Sequence, residues 1–393
     1  LEPGILKGEI LINLDSEVDN LNIVAEVSKI AAAGWFYAIC SKSEIERIKD
    51  PQNGDDFILL LRADIISDNM RLYRVVKHYV DIAVRSGVEW SLEEFYKTDH
   101  FEYFKNHLPV NLKEKVDGIA TGLIFTKEAN GLIFKTDFGF CSVLSASLFY
   151  FIKFSFLALI DSGGRIPPEV CVASLRIAIR TMFEKETLDF DWDPRGIIPE
   201  DIEKVITAPY PYIMTFLAGH EYSHFLNGDL DDYHAVQKTI STYFKDGEDY
   251  KKIGAYNSNQ KQEFAADFGA LNYPKFDDEE YNLYYYYALS WFAILAIFEA
   301  AENTMFPPFN KQSHPGAKAR YNNILNNAKR PLNFEEMKEF YTVDLPMLVS
   351  YYEEIIIEDV QYNYEGYEFE GSVYLATPNT EWRGPELIDR VDY

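Results

Sequence analysis

Residues 220–224 read His220-Glu221-Tyr222-Ser223-His224, an H-E-x-x-H pattern. On a helix, positions i and i+4 share one face a turn apart, so two imidazoles at that spacing can share a zinc ion. Glu221 then projects beside the metal, placed to act as a base on activated water. With 7 histidines in 393 residues, chance supplies on the order of 0.01 such matches, so the pattern carries information. The flanks supply the helix it needs. Pro209 and Pro211 suit a first turn, Ile213, Met214, Phe216 and Leu217 continue the apolar face, and Gly228 gives a stop signal.

A catalytic zinc site requires a third protein ligand. A metzincin would carry a histidine six residues after His224; Leu230 stands there, which excludes that arrangement. Glu263 is the better candidate. Its segment starts at a capping Ser258 or Asn259 and ends before Pro274, so it reads as a helix that puts Glu263 and Asp267 on one face. Glu263 would bind the metal, and Asp267 would hold the outer N–H of a ligand histidine and fix its tautomer. Ala265, Ala266, Gly269 and Ala270 would let this helix approach the histidine helix closely. Asp229, Asp231, Asp232, Glu248 and His234 are competing donors, but they lie in a polar stretch where surface duty accounts for each more cheaply.

H-E-x-x-H followed by Glu263-Phe264-Ala265-Ala266-Asp267 and then by His314-Pro315, with Arg320 and Tyr321 beyond, resembles the gluzincin metallopeptidases of the CAAX-prenyl-protease and HtpX/BepA type. The resemblance covers about residues 210–325. It implies a zincin-like catalytic domain in which His220, His224 and Glu263 bind Zn2+ and Glu221 is the general base. It also implies that His314 or Arg320 sits near the cleft. Independently of the resemblance, a nearby tyrosine such as Tyr222 is a further candidate donor to an oxyanion. The structural alternatives are a helix-entry turn at His314-Pro315 and a plain ion pair for Arg320. A narrower resemblance, to phage-exclusion zincins of the Lit type, rests on the H-E-x-x-H core alone.

The elements that must position these residues follow from the rest of the chain. Residues 1–115 read as a mixed α/β region, with strands at Glu9–Leu14 and Phe57–Leu61 and helices at Val24–Ala33, Met70–Ser86 and Ser91–Tyr103. A β-hairpin of Gly122–Thr126 with Leu132–Thr136, turning at Asn130-Gly131, is expected to border the cleft, where an edge strand can hold extended substrate. Phe138–Ile160 and Tyr281–Phe298 are apolar enough to raise the membrane question, but Lys153 and the run of tyrosines from Tyr284 favour buried core helices. Leu175–Phe183, Phe334–Tyr341 and Leu345–Ile357 read as helices, and the stretch from Tyr362 as irregular or β-rich. The expected architecture is α+β, predominantly helical, with a catalytic domain at 116–350 and an acidic, aromatic-rich segment at 351–393.

A formal net charge of −26 argues against nucleic acid as a partner, because phosphate neutralisation needs clustered Lys and Arg. Cys40, Cys141 and Cys171 lack C-x-x-C spacing, which excludes a thiolate zinc site and points to a reducing, cytoplasmic setting. The expected activity is zinc-dependent hydrolysis of a peptide or protein substrate outside a membrane. The competing readings are a catalytically silent zincin-fold interaction protein and a metallohydrolase acting on a small amide.

Overall fold

The computed structural model describes residues 35–126, 131–160, 164–230, 260–306 and 315–375, and the backbone alone at 236–239 and 252–255. The fold is α+β and predominantly helical. Its sheet contains β1 (Ala120–Ile124), β2 (Gly131–Thr136), β3 (Gly139–Ser145), β4 (Val236–Thr239) and β5 (Lys252–Ala255) in the order β1-β3-β2-β5-β4. The expected β1–β2 hairpin does not form. Instead β2 turns directly into β3 and pairs with it antiparallel from Gly131↔Leu144 to Thr136↔Gly139, while β1 lies parallel to β3 on its other side. Thr136 closes the turn, its hydroxyl donating to the Gly139 carbonyl at 2.9 Å. Gly139, at φ +108°, takes a conformation that side chains disfavour.

The described part of the N-terminal region is helical rather than mixed. Phe57–Leu61 belongs to the helix Gly54–Asp68, whose Asn53 cap accepts from the Asp56 N–H at 2.9 Å. The reason is two-sided burial: Phe57, Ile58, Leu59 and Leu60 are all at most 4% exposed. One face meets the sheet, with Phe57 edge-on to Phe134, while Leu59 and Leu60 join the helical core. A run apolar on every face has no period that separates strand from helix. Ser91–Tyr103 splits into Leu92–Phe95 and His100–Asn106, whereas Met70–Ser86 is one helix between Asn69 and a left-handed Gly87. Glu9–Leu14 and Val24–Ala33 lie outside the described residues.

Two helices dominate the interior. Pro209–Leu226 carries the H-E-x-x-H residues and is buried from Ile213 to His224. It lies against the sheet through Phe140 and Phe225, and its other flanks meet the short helix His100–Asn106 and the helix Gln260–Asn272. Asp278–Met305 is long and apolar enough to cross a membrane, but 67% of its apolar window is buried inside the molecule. Phe138–Ile160 divides into β3 and the helix Leu148–Leu159.

At the C-terminal end a pi-helical turn at Phe340–Asp344 leads into Leu345–Tyr362, which runs through the expected boundary at 350/351. In the described part of the stretch after Tyr362, residues 363–375, Tyr364–Glu368 is helical, and Ser372, Val373, Tyr374 and Leu375 are buried. Arg180 holds it by donating to the carbonyls of Gly366, Phe369 and Gly371 at 2.6, 3.1 and 2.9 Å. One apolar core takes in residues from Phe36 to Leu375.

Close packing of the histidine helix depends on small residues. A Cβ on Gly219 would lie 2.3 Å from the Phe104 ring, which is itself fully buried. Gly219→Ala is therefore expected to cost about 1–3 kcal/mol through overpacking, despite the better helix propensity of alanine. Chemical denaturation checks this; an unchanged or higher midpoint would show that the Phe104 ring yields.

Candidate metal centre

The site is assembled by three helices. Pro209–Leu226 supplies His220, Glu221 and His224, Gln260–Asn272 supplies Glu263 and Asp267, and Ala317–Asn327 supplies Arg320. The first two meet closely because Gly269 leaves room for Ser223: a Cβ there would sit 2.4 Å from the Ser223 hydroxyl. Ser223 in turn donates to the Gly219 carbonyl at 2.7 Å, within its own helix.

His220, His224 and Glu263 each turn one ligand atom towards a common point, all within 4.8 Å of one another, and all three residues are buried. The Nε2 atoms of the two histidines lie 3.1 Å apart. Glu263 approaches them with Oε2 at 3.4 Å from His220 and Oε1 at 3.6 Å from His224. The outer nitrogens are held from behind. His220 Nδ1 is 3.0 Å from Asp267 Oδ1, and His224 Nδ1 is 2.9 Å from Asp229 Oδ2. A carboxylate at Nδ1 accepts the N–H there, which leaves the Nε2 lone pair facing inward. Two lone pairs and a carboxylate then converge on one point, and such an acceptor set needs a cation, either a proton or a metal. The donors, two imidazoles and one carboxylate, fit zinc with an open fourth position.

No protein-family model, curated protein or solved structure matches this chain. The chemistry of the site therefore rests on this geometry.

Arg320 is not free to meet a substrate. Its guanidinium, 5% exposed, donates to Asp267 through Nε at 2.9 Å and Nη2 at 2.5 Å and lies over the Phe292 ring at 4.7 Å. Its Nη1 is 3.5 Å from Glu263 Oε2. It orients the two carboxylates rather than an oxyanion. Burial works against the Asp267 charge, but Arg320 and His220 outweigh it and hold the carboxyl below its ordinary range. Tyr222 packs its fully buried ring against Phe101 and Phe104. His314, Asp231, Asp232, Glu248, His234 and the expected caps Ser258 and Asn259 lie outside the described residues.

Glu221 is 3% exposed. Burial raises its pKa, the two histidines pull it back down, and Glu263 raises it again. The start of β2 lies directly against it, since a Cβ on Gly131 would be 2.6 Å from Glu221 Cγ and 2.9 Å from Oε1. Thus the strand beside the site is β2, placed by its pairing with β3.

Asp229 is the site residue that the sequence reading set aside as surface. The signal was local: Gly228, at φ +76°, turns the chain back after the helix. The Asp229 N–H then bonds to the His224 carbonyl at 3.1 Å, which brings its side chain onto the same residue's ring.

For His220, burial opposes protonation, but hydrogen bonds to Asp267 and Glu263 outweigh it and raise the pKa to about 9. Below that pH the metal-free ring carries a proton that a metal must displace, so zinc affinity is expected to rise by up to about tenfold per pH unit towards pH 9 and then level off. Competition with a chelator across pH checks this; a flat profile would contradict it. In the same assay Asp229→Asn should weaken zinc binding by about 10–100-fold, with the exposed Asp117→Asn as a neutral control.

Proposed function

We propose that this chain is a zinc-dependent metallopeptidase of the gluzincin kind. The carrying observation is the convergence of His220 Nε2, His224 Nε2 and Glu263 on one buried point, with the Glu221 carboxylate beside it. When bound, zinc supplies a Lewis acid that lowers the pKa of water towards about 7 and polarises a carbonyl.

The protein groups do the rest. Asp267 and Asp229 fix both imidazoles in the tautomer that points Nε2 inward. Arg320 holds Asp267 and leans towards Glu263, so the third ligand and the support behind the first are positioned by one guanidinium. Glu221 takes the proton from the attacking water and returns it to the leaving amine. Burial raises its pKa, which makes it a stronger base than an exposed carboxylate. β2, an inner strand between β3 and β5, lies over Glu221 at Gly131 and walls the site on that side.

A second reading draws on the burial of Glu221 and the contact from Gly131. They favour a site closed in its resting form, in which the metal serves stability or regulation. Elemental analysis of purified protein, joined to cleavage of a denatured fluorescent protein substrate, separates the two. Glu221→Gln should retain one zinc per chain and lose turnover by at least about a hundredfold, while Glu263→Ala should lose the zinc. Zinc bound equally by both variants with hydrolysis unchanged would remove Glu221 from the chemistry. No metal in any form of the protein would show that the histidine pair only packs.

A further inference from the structure

The other large buried arginines all hold carboxylates: Arg180 binds Glu186, Arg195 binds Glu186 and Asp189, and Arg320 binds Asp267. Arg62 does not. It is 3% exposed, and its Nε donates to the Leu123 carbonyl of β1 at 2.7 Å. Its guanidinium lies 5.6 Å from the centre of the Tyr96 ring, a cation–π contact that leaves the charge in place, and among the described residues no carboxylate comes within ion-pair range of it. The acids nearest to it are engaged elsewhere: Glu93 is bound by both terminal nitrogens of Arg47 at 2.6 and 3.0 Å. Glu44 accepts from the backbone of Ser41 at 2.7 Å and of Glu93 at 2.9 Å.

A buried charge without a counter-ion is costly, so its retention calls for an explanation. Desolvation already drags this guanidinium down to about 10. Arg62 lines a cavity of about 340 Å³ beside β1, the outer strand of the sheet among the described residues. That volume lies in the range of small-ligand sites, roughly 300–1,000 Å³. Gly122 makes the seat, since a Cβ there would fall 2.9 Å from Arg62 Nη2. The floor is apolar, with Ile58 and Leu59 buried, and the mouth is acidic. Glu94 and Glu102 at the mouth are neutralised by Lys97 and Lys105. Asp55 and Asp99 are exposed and make no ion pair among the described residues.

The uncompensated charges are thus one cation at the bottom and two anions at the rim. We infer that this cavity is a binding site for a basic amino acid, its carboxylate on Arg62 and its two cationic groups towards Asp55 and Asp99. The rim repels multiply charged anions, so phosphate is a poor occupant despite the guanidinium. The site uses none of the metal-centre residues, and its test is independent of hydrolysis.

Calorimetry and thermal melting of the full chain with L-arginine, agmatine, acetate and inorganic phosphate decide the matter. L-arginine should bind saturably and raise the melting temperature. Agmatine, which lacks only the carboxylate, should bind at least about tenfold more weakly, the factor expected for one charge-assisted bidentate contact. Arg62→Met should stay folded and lose L-arginine binding. The pair Asp55→Asn with Asp99→Asn should reduce L-arginine to the level of acetate. No L-arginine binding at millimolar concentration, tighter binding of phosphate, or undiminished binding by Arg62→Met would overturn the inference. Should Arg62→Met fail to fold, undiminished binding by the double aspartate variant overturns it alone.

Discussion

The candidate site hangs on the carboxylate of Asp267. It is fully buried and takes two hydrogen bonds from Arg320 and one from His220, so a single side chain ties three helices together. Taking those charges out of water is expensive, and the cost is recovered only if every partner stays in place. That constraint explains the small residues around the site. Gly269 and Ser223 let two helices come near enough for Asp267 to reach His220, and Gly219 lets Phe104 close the far side of the histidine helix. A bulkier contact at either place would lengthen the bonds that offset the desolvation. Packing and electrostatics here are one requirement.

The same logic recurs at the C-terminal end. Glu186 sits between Arg180 at 2.9 Å and Arg195 at 3.3 Å, all three with side chains fully buried. Glu186 also accepts from the Val373 N–H at 3.2 Å, which fastens the last described residues to the body of the fold. These networks add directional bonds to segments that also bury apolar side chains such as Tyr367 and Leu375. Against them Arg62 stands out, with no carboxylate partner among the described residues: it caps one carbonyl of β1 and lies over the Tyr96 ring.

Much of this was legible in the sequence where chemistry and period coincide. The spacing of His220 and His224 and the shared face of Glu263 and Asp267 follow from helical geometry alone, and the prolines and Gly228 bound the helix that carries the histidines. What was not legible depends on contacts distant in the chain. Phe57–Leu61 reads as a strand because burial on both sides erases helical period. The pairing of β2 with β3 rather than β1 is a choice between apolar segments of similar composition, and the turn at Thr136–Gly139 decides it. Asp229 looked like surface because the run after it is polar, yet its own place is set by the helix end rather than by its neighbours. Arg320 was visible as a residue, but its partner lies 53 positions away in the chain.

The charge of the cluster carries the argument from geometry to metal. Glu263, Asp267 and Asp229 are buried, at 2%, 0% and 9% exposure, and Arg320 is the buried cation that lies among them. Three carboxylates against one guanidinium, with the Glu221 carboxyl close by, leave an excess of negative charge in a desolvated space. A proton on His220 offsets part of it, held there by the hydrogen bonds to Asp267 and Glu263. A divalent cation would offset more of it, at the point where Nε2 of each histidine and the Glu263 oxygens already converge. Low dielectric makes that difference large, because an uncompensated charge costs most where water cannot reach it. On the proposed metal-binding reading, the two buried aspartates behind the histidines would contribute to the preference for a dication as much as the ligands themselves.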